Sequence, residues 1–123
     1  MNIAIWVVQV LLAFAFGGAG FMKLTLPYAK VKERMAWAGD FSPNIVKAIG
    51  GIELLGAIGL IVPALTGILP ELTPIAAVGL VITMIGAAFA HFRRNEIPMM
   101  MPSLVLGVLA AFVAYGRFVA VPL

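Results

Sequence analysis

One carboxylate lies within a stretch of about twenty residues that is otherwise almost entirely apolar. This residue is Glu53, and it has Gly50 and Gly56 three positions away on either side. An apolar stretch of this length predicts a membrane-spanning helix, in which an ionisable group is costly and commonly functional. Two roles are open for Glu53. It can form an ion pair that holds the helices in register, or it can act as a proton carrier, general base or ligand anchor in a cavity.

Three further side chains are expected in the same half of the membrane as Glu53. Lys23 ends the first predicted span, and His91 and Arg94 close the third. A nearby cation keeps a buried carboxylate ionised, whereas a neutral neighbour favours the protonated acid. Glu53 and His91 are therefore the candidate catalytic residues, and Lys23 and Arg94 are candidate ligand-binding residues. The structural alternative pairs Glu53 with Lys23, His91 or an arginine.

A second, smaller polar pair is expected near the opposite face of the membrane. Gln9 lies early in the first predicted span and Arg117 lies late in the fourth. Both are candidate ligand-binding residues. Arg117 is suited either to cap the end of its helix or to bind a lipid phosphate.

Several kinds of chemistry are excluded by composition. The chain has no cysteine, which removes disulfides, thiol nucleophiles and thiolate metal sites. It has one histidine, so one copy cannot build a bis-histidine haem or multi-histidine metal site, and we predict no metal site. The net charge is +3, but no Lys/Arg tract with interleaved aromatic residues indicates nucleic-acid binding.

The overall composition predicts an integral membrane protein. Of 123 residues, 63% are hydrophobic and 11% are charged. A typical soluble domain has about 25% charged residues. We predict one transmembrane domain over residues 1–123, embedded in a lipid bilayer.

The apolar segments predict four helices, and local signals suggest their ends. Ser42 followed by Pro43 is typical of a helix N-terminus, as is Thr73 followed by Pro74. Pro63 is expected to end or kink the second helix. The predicted spans are residues 3–22, 43–63, 74–92 and 98–119.

Small residues recur at helical spacing along the spans, for example at Gly17 and Gly20 in the first and at Gly79 and Gly86 in the third. Such stripes predict helix-packing faces, because helices in lipid associate through close contact. The loop at residues 23–44 predicts a short interfacial helix, with Trp37 at headgroup level. The predicted fold is an all-α polytopic membrane four-helix bundle with a short interfacial helix after the first span.

The distribution of basic residues predicts the orientation. Seven of the eight lysines and arginines lie in or beside the first and third loops. By the positive-inside rule these loops are cytoplasmic and both termini lie outside the cytoplasm.

Three motifs together resemble the DoxX-like family of small four-helix membrane proteins. They are G-x-x-K at residues 20–23, G-x-x-E-x-x-G-x-x-G-L at 50–60 and A-x-x-x-H-x-R-R at 87–94. The resemblance implies a bacterial inner-membrane protein whose wider relatives are linked to quinone-coupled sulfur oxidation and membrane oxidoreductase complexes. Its motif positions here are Lys23, Glu53, His91 and Arg94.

Three functional hypotheses follow. In the first, a hydrophobic small molecule such as a quinone or lipid-like metabolite binds in an intramembrane pocket around Glu53, in association with an oxidoreductase. In the second, Glu53 and His91 carry out acid/base catalysis, such as isomerisation or epoxide opening, on a lipid-soluble substrate. In the third, the chain is a structural subunit of a membrane complex. A homo-oligomer is compatible with the first two. The chain itself supplies no cofactor, and a bound quinone is the one expected.

Overall fold

The computed structural model describes all 123 residues and contains no β-strand. The predicted all-α fold is confirmed. In chain order, the helices are α1 (Asn2–Thr25), α2 (Tyr28–Arg34), α3 (Pro43–Thr66), α4 (Leu72–Arg93) and α5 (Ile97–Tyr115). A 3₁₀ turn at Ala36–Asp40 follows α2, and a π-helical turn at Gly116–Ala120 extends α5.

Four of these helices are long and apolar enough to cross a membrane: α1, α3, α4 and the segment Ile97–Ala120. Their outward faces expose large apolar side chains, including Phe14, Leu55, Ile82 and Val108. Water would not tolerate so continuous an apolar surface, whereas lipid covers it at no cost. The chain is a multi-pass membrane protein.

The four long helices form a closed ring, in which α1 contacts α3, α3 contacts α4, α4 contacts α5 and α5 returns to α1. The centre is filled by apolar side chains from all four helices, among them Phe16, Leu60, Leu80 and Val113. Polar groups therefore meet on either side of this apolar centre, which fixes where a site can form.

Helices α1 and α3 approach closely through two glycines. A Cβ atom on Gly20 would lie 2.5 Å from the carbonyl oxygen of Gly50, and a Cβ on Gly50 would lie 2.7 Å from the Cβ of Lys23. The predicted packing stripe is therefore present on α1. The stripe predicted on α4 does not behave in the same way, because Gly79 and Gly86 have no atom within 4 Å of an added Cβ.

Helix α3 begins as predicted but ends later. The Ser42 hydroxyl accepts a hydrogen bond from the Ile45 backbone N–H at 3.3 Å, which confirms the N-cap. Pro63 was expected to end or kink the helix, and α3 continues past it to Thr66 and stops at Gly67, which has a φ of 72°. Glycine adopts this left-handed conformation without a steric penalty.

Helix α3 continues through Pro63, and a hydroxyl from α4 replaces the hydrogen bond that the proline removes. Proline has no N–H, so the carbonyl oxygen of Gly59, one turn earlier, loses its helical donor. The Thr73 hydroxyl donates to that oxygen at 2.9 Å. The prediction of Thr73 as an N-cap is therefore wrong, since α4 begins at Leu72 and the Thr73 side chain bonds to α3 instead.

The loop between α1 and α3 folds into α2 and the 3₁₀ turn, in place of one short helix. The Tyr28 hydroxyl donates to the carbonyl oxygens of Ala38 and Phe41 and so fastens the turn to α2. Val31, Ala38 and Val46 form a small buried cluster beneath it. This segment is anchored to the end of the bundle and holds Trp37 and Phe41 in place.

Candidate functional site

The centre of the site is a buried ion pair. The Lys23 ammonium on α1 donates to the Glu53 carboxylate on α3, and the two residues are 5% and 2% exposed. The close approach of the helices at Gly20 and Gly50 allows the two side chains to meet across the seam. Each charge would be costly alone in the bundle, and the pairing offsets that cost.

The ion pair forms one wall of a cavity between α3 and α4. Its volume is about 300 Å³, and the remaining walls are mostly apolar. Met84 is buried and Ala87 half-buried on the α4 side, and Ile52 and Gly86 at the rim are exposed. The cavity thus combines an apolar interior, one charged pair and an opening at the lipid-facing groove between two helices.

The interfacial segment covers one end of the cavity. Trp37 and Phe41 line it and pack edge to face, with ring centroids 5.9 Å apart. The Lys23 ammonium lies 5.5 Å from the centroid of the Trp37 ring. The placement of Trp37 at headgroup level stays a prediction, and in the structure its ring covers the Lys23 side of the ion pair. The aromatic pair and the ion pair therefore line the same cavity.

Arg94 fastens this aromatic cover to α4. Its guanidinium donates at 2.9 Å to the carboxylate of Asp40, the residue before Phe41. The Nε atom of Arg94 also lies 3.6 Å from Glu96 Oε2. The hydrogen bond to Asp40 raises the pKa of Arg94 above its ordinary value. Arg94 therefore lies outside the cavity and links the segment that carries Trp37 and Phe41 to the end of α4.

His91 forms no hydrogen bond or ion pair with Lys23 or Glu53. Its Nδ1 atom lies 3.0 Å from Glu96 Oε1, and the Glu96 backbone N–H donates to the His91 carbonyl oxygen at 2.9 Å. The residue between them in the turn, Asn95, has a φ of 57°, which brings the chain back over the end of α4. His91 therefore belongs to the α4–α5 turn, and the predicted acid/base pairing with Glu53 is not formed in this structure.

The two residues expected near the opposite face do meet. Arg117 Nε donates to Gln9 Oε1 at 2.7 Å, and Gln9 Nε2 donates to the Leu60 carbonyl oxygen at 2.6 Å. Sequence reasoning missed Asn2, whose Oδ1 accepts from Arg117 at 2.8 Å. No sequence motif predicts this contact, because the position of the Asn2 side chain depends on where α1 begins.

The sequence matches the model of one known protein family. The model of the DoxX-like family matches residues 7–113. The chain belongs to the DoxX-like family. No curated protein and no solved structure matches it.

The family match includes most of the site of this DoxX-like protein. It spans the ion pair, the aromatic cover and the α4–α5 turn, and it stops before Arg117. No group of three or more His, Asp or Glu side chains is placed to hold a metal ion. What the arrangement offers chemically is an apolar cavity with one hydrogen-bonding, charged pair at its wall.

Proposed function

We propose that this DoxX-like membrane protein binds a hydrophobic small molecule with a polar head, a quinone or a lipid-like metabolite, in the cavity beside Lys23 and Glu53. The observation that carries the proposal is the ion pair at the wall of an otherwise apolar cavity. Ligand pockets commonly have this composition, with a few polar groups that fix orientation among apolar walls.

The ion pair suits a carbonyl, hydroxyl or carboxyl head group. Lys23 supplies N–H donors and Glu53 supplies acceptor oxygens, so a hydroxyl or protonated carboxyl head group can bond to both residues, whereas a quinone carbonyl accepts from Lys23. The ring of Trp37 offers a flat apolar face to a planar head group. When a membrane oxidoreductase takes two electrons from a bound quinol, two protons are released, and the Glu53 carboxylate can accept one of them.

The route to the cavity runs through the membrane. Gly86 and Ile52 flank the rim between α3 and α4, and an added Cβ at Gly86 meets no atom within 4 Å. A ligand dissolved in lipid can enter there without crossing water. Gly86→Leu should obstruct this rim without a clash inside the bundle.

Fluorescence quenching tests the proposal directly. The Trp6→Phe variant retains Trp37 as its only tryptophan, at the cavity wall. A short-chain benzoquinone is expected to quench Trp37 saturably, and Gly86→Leu should weaken the apparent affinity at least tenfold. Gly18→Leu is the matched control, since Gly18 is also an exposed helical glycine with no atom within 4 Å of an added Cβ.

The reciprocal variant separates binding from collision within the lipid. Trp37→Phe leaves only Trp6, which lies beside Arg117 at the other end of the bundle. Quenching of Trp6 should rise linearly with quinone concentration, without saturation. Linear quenching of Trp37, or equal saturation in Gly86→Leu and Gly18→Leu, would refute a binding site in this cavity.

We also propose that the protein lies in a bacterial inner membrane with both termini outside the cytoplasm. The clustering of basic residues in the first and third loops supports this orientation. Because the chain has no cysteine, single introduced cysteines give an unambiguous readout. A membrane-impermeant thiol reagent added to intact cells should label Leu69→Cys, in the α3–α4 connection, and spare Lys30→Cys, on α2. The reverse labelling pattern would overturn the orientation.

A further inference from the structure

The end of the bundle opposite the Lys23–Glu53 pair holds a buried cation without a counter-ion. Arg117 is 3% exposed and lies in the π-helical turn that follows α5. An added Cβ on Gly116 would lie 2.5 Å from Ile5 Cδ1, so this turn packs directly on α1 and brings the guanidinium inside. No carboxylate lies within 4 Å of it in the structure.

The bonds that Arg117 makes leave one part of the guanidinium unused. Nε donates to Gln9, and Nη1 donates to Asn2 Oδ1 and to the Val121 carbonyl oxygen. The Trp6 ring centroid lies 5.6 Å from the guanidinium carbon. Nη2 is buried and has no hydrogen-bond partner. Four neutral groups thus orient the cation, and two N–H donors remain free.

A cavity of about 210 Å³ adjoins this arginine. Its walls come from the α3–α4 connection, the start of α4 and the chain after α5, and they include three prolines. Arg117 and Glu71 are the two residues with charged side chains that line it, and Glu71 is exposed and forms no ion pair. The site therefore presents a fixed cation at its base and an acid at its mouth.

We infer that this cavity binds the zwitterionic head group of a phosphoethanolamine lipid. The lipid phosphate accepts the free N–H groups of Arg117 Nη2 and supplies the missing counter-charge, as guanidinium groups commonly bind phosphate. The head-group ammonium meets the Glu71 carboxylate. The depth is suitable, because the fourth span ends at Ala120, three residues after Arg117, where head groups lie. The inference is independent of the cavity beside Glu53.

Glu71 discriminates between this ligand and a simple anion. A phosphate ion or a phosphatidylglycerol head group brings negative charge with no cation to meet Glu71, whereas phosphoethanolamine satisfies both residues. Pro70, Pro74 and Pro122 restrict the backbone of the walls.

Native mass spectrometry of delipidated protein tests the inference with three probes: phosphatidylethanolamine, phosphatidylglycerol and inorganic phosphate. The wild-type chain should bind one phosphatidylethanolamine saturably and more tightly than either other probe. Arg117→Lys keeps the charge but removes the guanidinium fork, and should weaken binding about 10- to 100-fold. Glu71→Gln should weaken phosphatidylethanolamine binding about two- to fivefold. The difference in affinity between phosphatidylethanolamine and phosphatidylglycerol should therefore become smaller.

Arg93→Lys is the matched control, because Arg93 is an exposed arginine at the other end of the bundle. It should leave the phosphatidylethanolamine affinity unchanged. Equal affinity in wild type and Arg117→Lys would overturn the site. So would equal or tighter binding of phosphatidylglycerol or inorganic phosphate, or tighter phosphatidylethanolamine binding in Glu71→Gln. Glu71 lies on the surface, so its variant remains informative even if Arg117→Lys fails to fold.

Discussion

Replacement of the two charges of the Lys23–Glu53 pair, singly and together, should have strongly non-additive effects on stability. Both residues are at least 95% buried and each is the only ionic partner of the other. Lys23→Met or Glu53→Met alone leaves one buried charge without a partner, which should lower the free energy of unfolding by about 3–5 kcal/mol. If the sites were independent, the double variant would lose the sum, about 6–10 kcal/mol.

The double variant is instead expected to unfold with nearly wild-type free energy. Methionine approximates the length of both side chains, so packing against the Gly20–Gly50 seam is kept and no charge remains unpaired. Replacement of a buried ion pair by apolar residues of similar volume is commonly neutral or stabilising. The expected coupling between the two sites is therefore close to the whole sum, about 6–10 kcal/mol.

Reversible unfolding of the purified protein in mixed micelles, followed by Trp37 fluorescence in the Trp6→Phe background, measures these free energies. The Asp40–Arg94 pair supplies the control cycle. It is exposed to solvent, and its coupling should be much weaker. Additive losses in the Lys23→Met, Glu53→Met double variant would show that the two charges do not stabilise one another and would refute this account of the seam.

Two further predictions concern the packing of α3. Thr73→Val should lower the unfolding free energy by about 1–2 kcal/mol, because it leaves the Gly59 carbonyl oxygen without a donor. Pro63→Ala restores the helical N–H and should rescue much of that loss in the double variant; no rescue would contradict the role given to Thr73. Gly20→Ala should destabilise by about 1–3 kcal/mol because its Cβ meets the backbone of α3, as overpacking commonly does. Gly18→Ala, which points into open space, should be neutral or slightly stabilising, and equal losses in the two alanine variants would refute the close approach.

The sequence was sufficient to predict the four long helices and two of the polar contacts, Lys23 with Glu53 and Gln9 with Arg117. Long apolar runs specify spans by length alone, and the Ser42 cap depends on residues three positions apart. Lys23 was one of the partners expected for Glu53, with His91 and an arginine, because all were predicted to lie in the same half of the membrane, and the structure forms the Lys23 pair. In each case the signal is local or follows from the bilayer.

Other features depend on contacts that local sequence does not encode. The Thr73 hydroxyl bonds to a carbonyl fourteen residues earlier on another helix, so its N-cap signature was misleading. Glycines at helical spacing have the same pattern whether a neighbour fills the space, as at Gly20, or leaves it open, as at Gly86. His91 turned to Glu96 because of the backbone turn at Asn95. The sequence feature that could have indicated this contact is Glu96, a glutamate five residues after His91.

The ion pair across α1 and α3 also has a consequence for how the protein is made. During synthesis α1 enters the membrane first, with Lys23 at its end able to reach the head groups. Helix α3 follows with Glu53 in its middle, where an unpaired acid costs about 2.5–3.5 kcal/mol during insertion. That cost falls once Glu53 meets Lys23, so α1 and α3 form a natural insertion hairpin. The later helices α4 and α5, which carry no acid within their spans, complete the ring around a pair already neutralised.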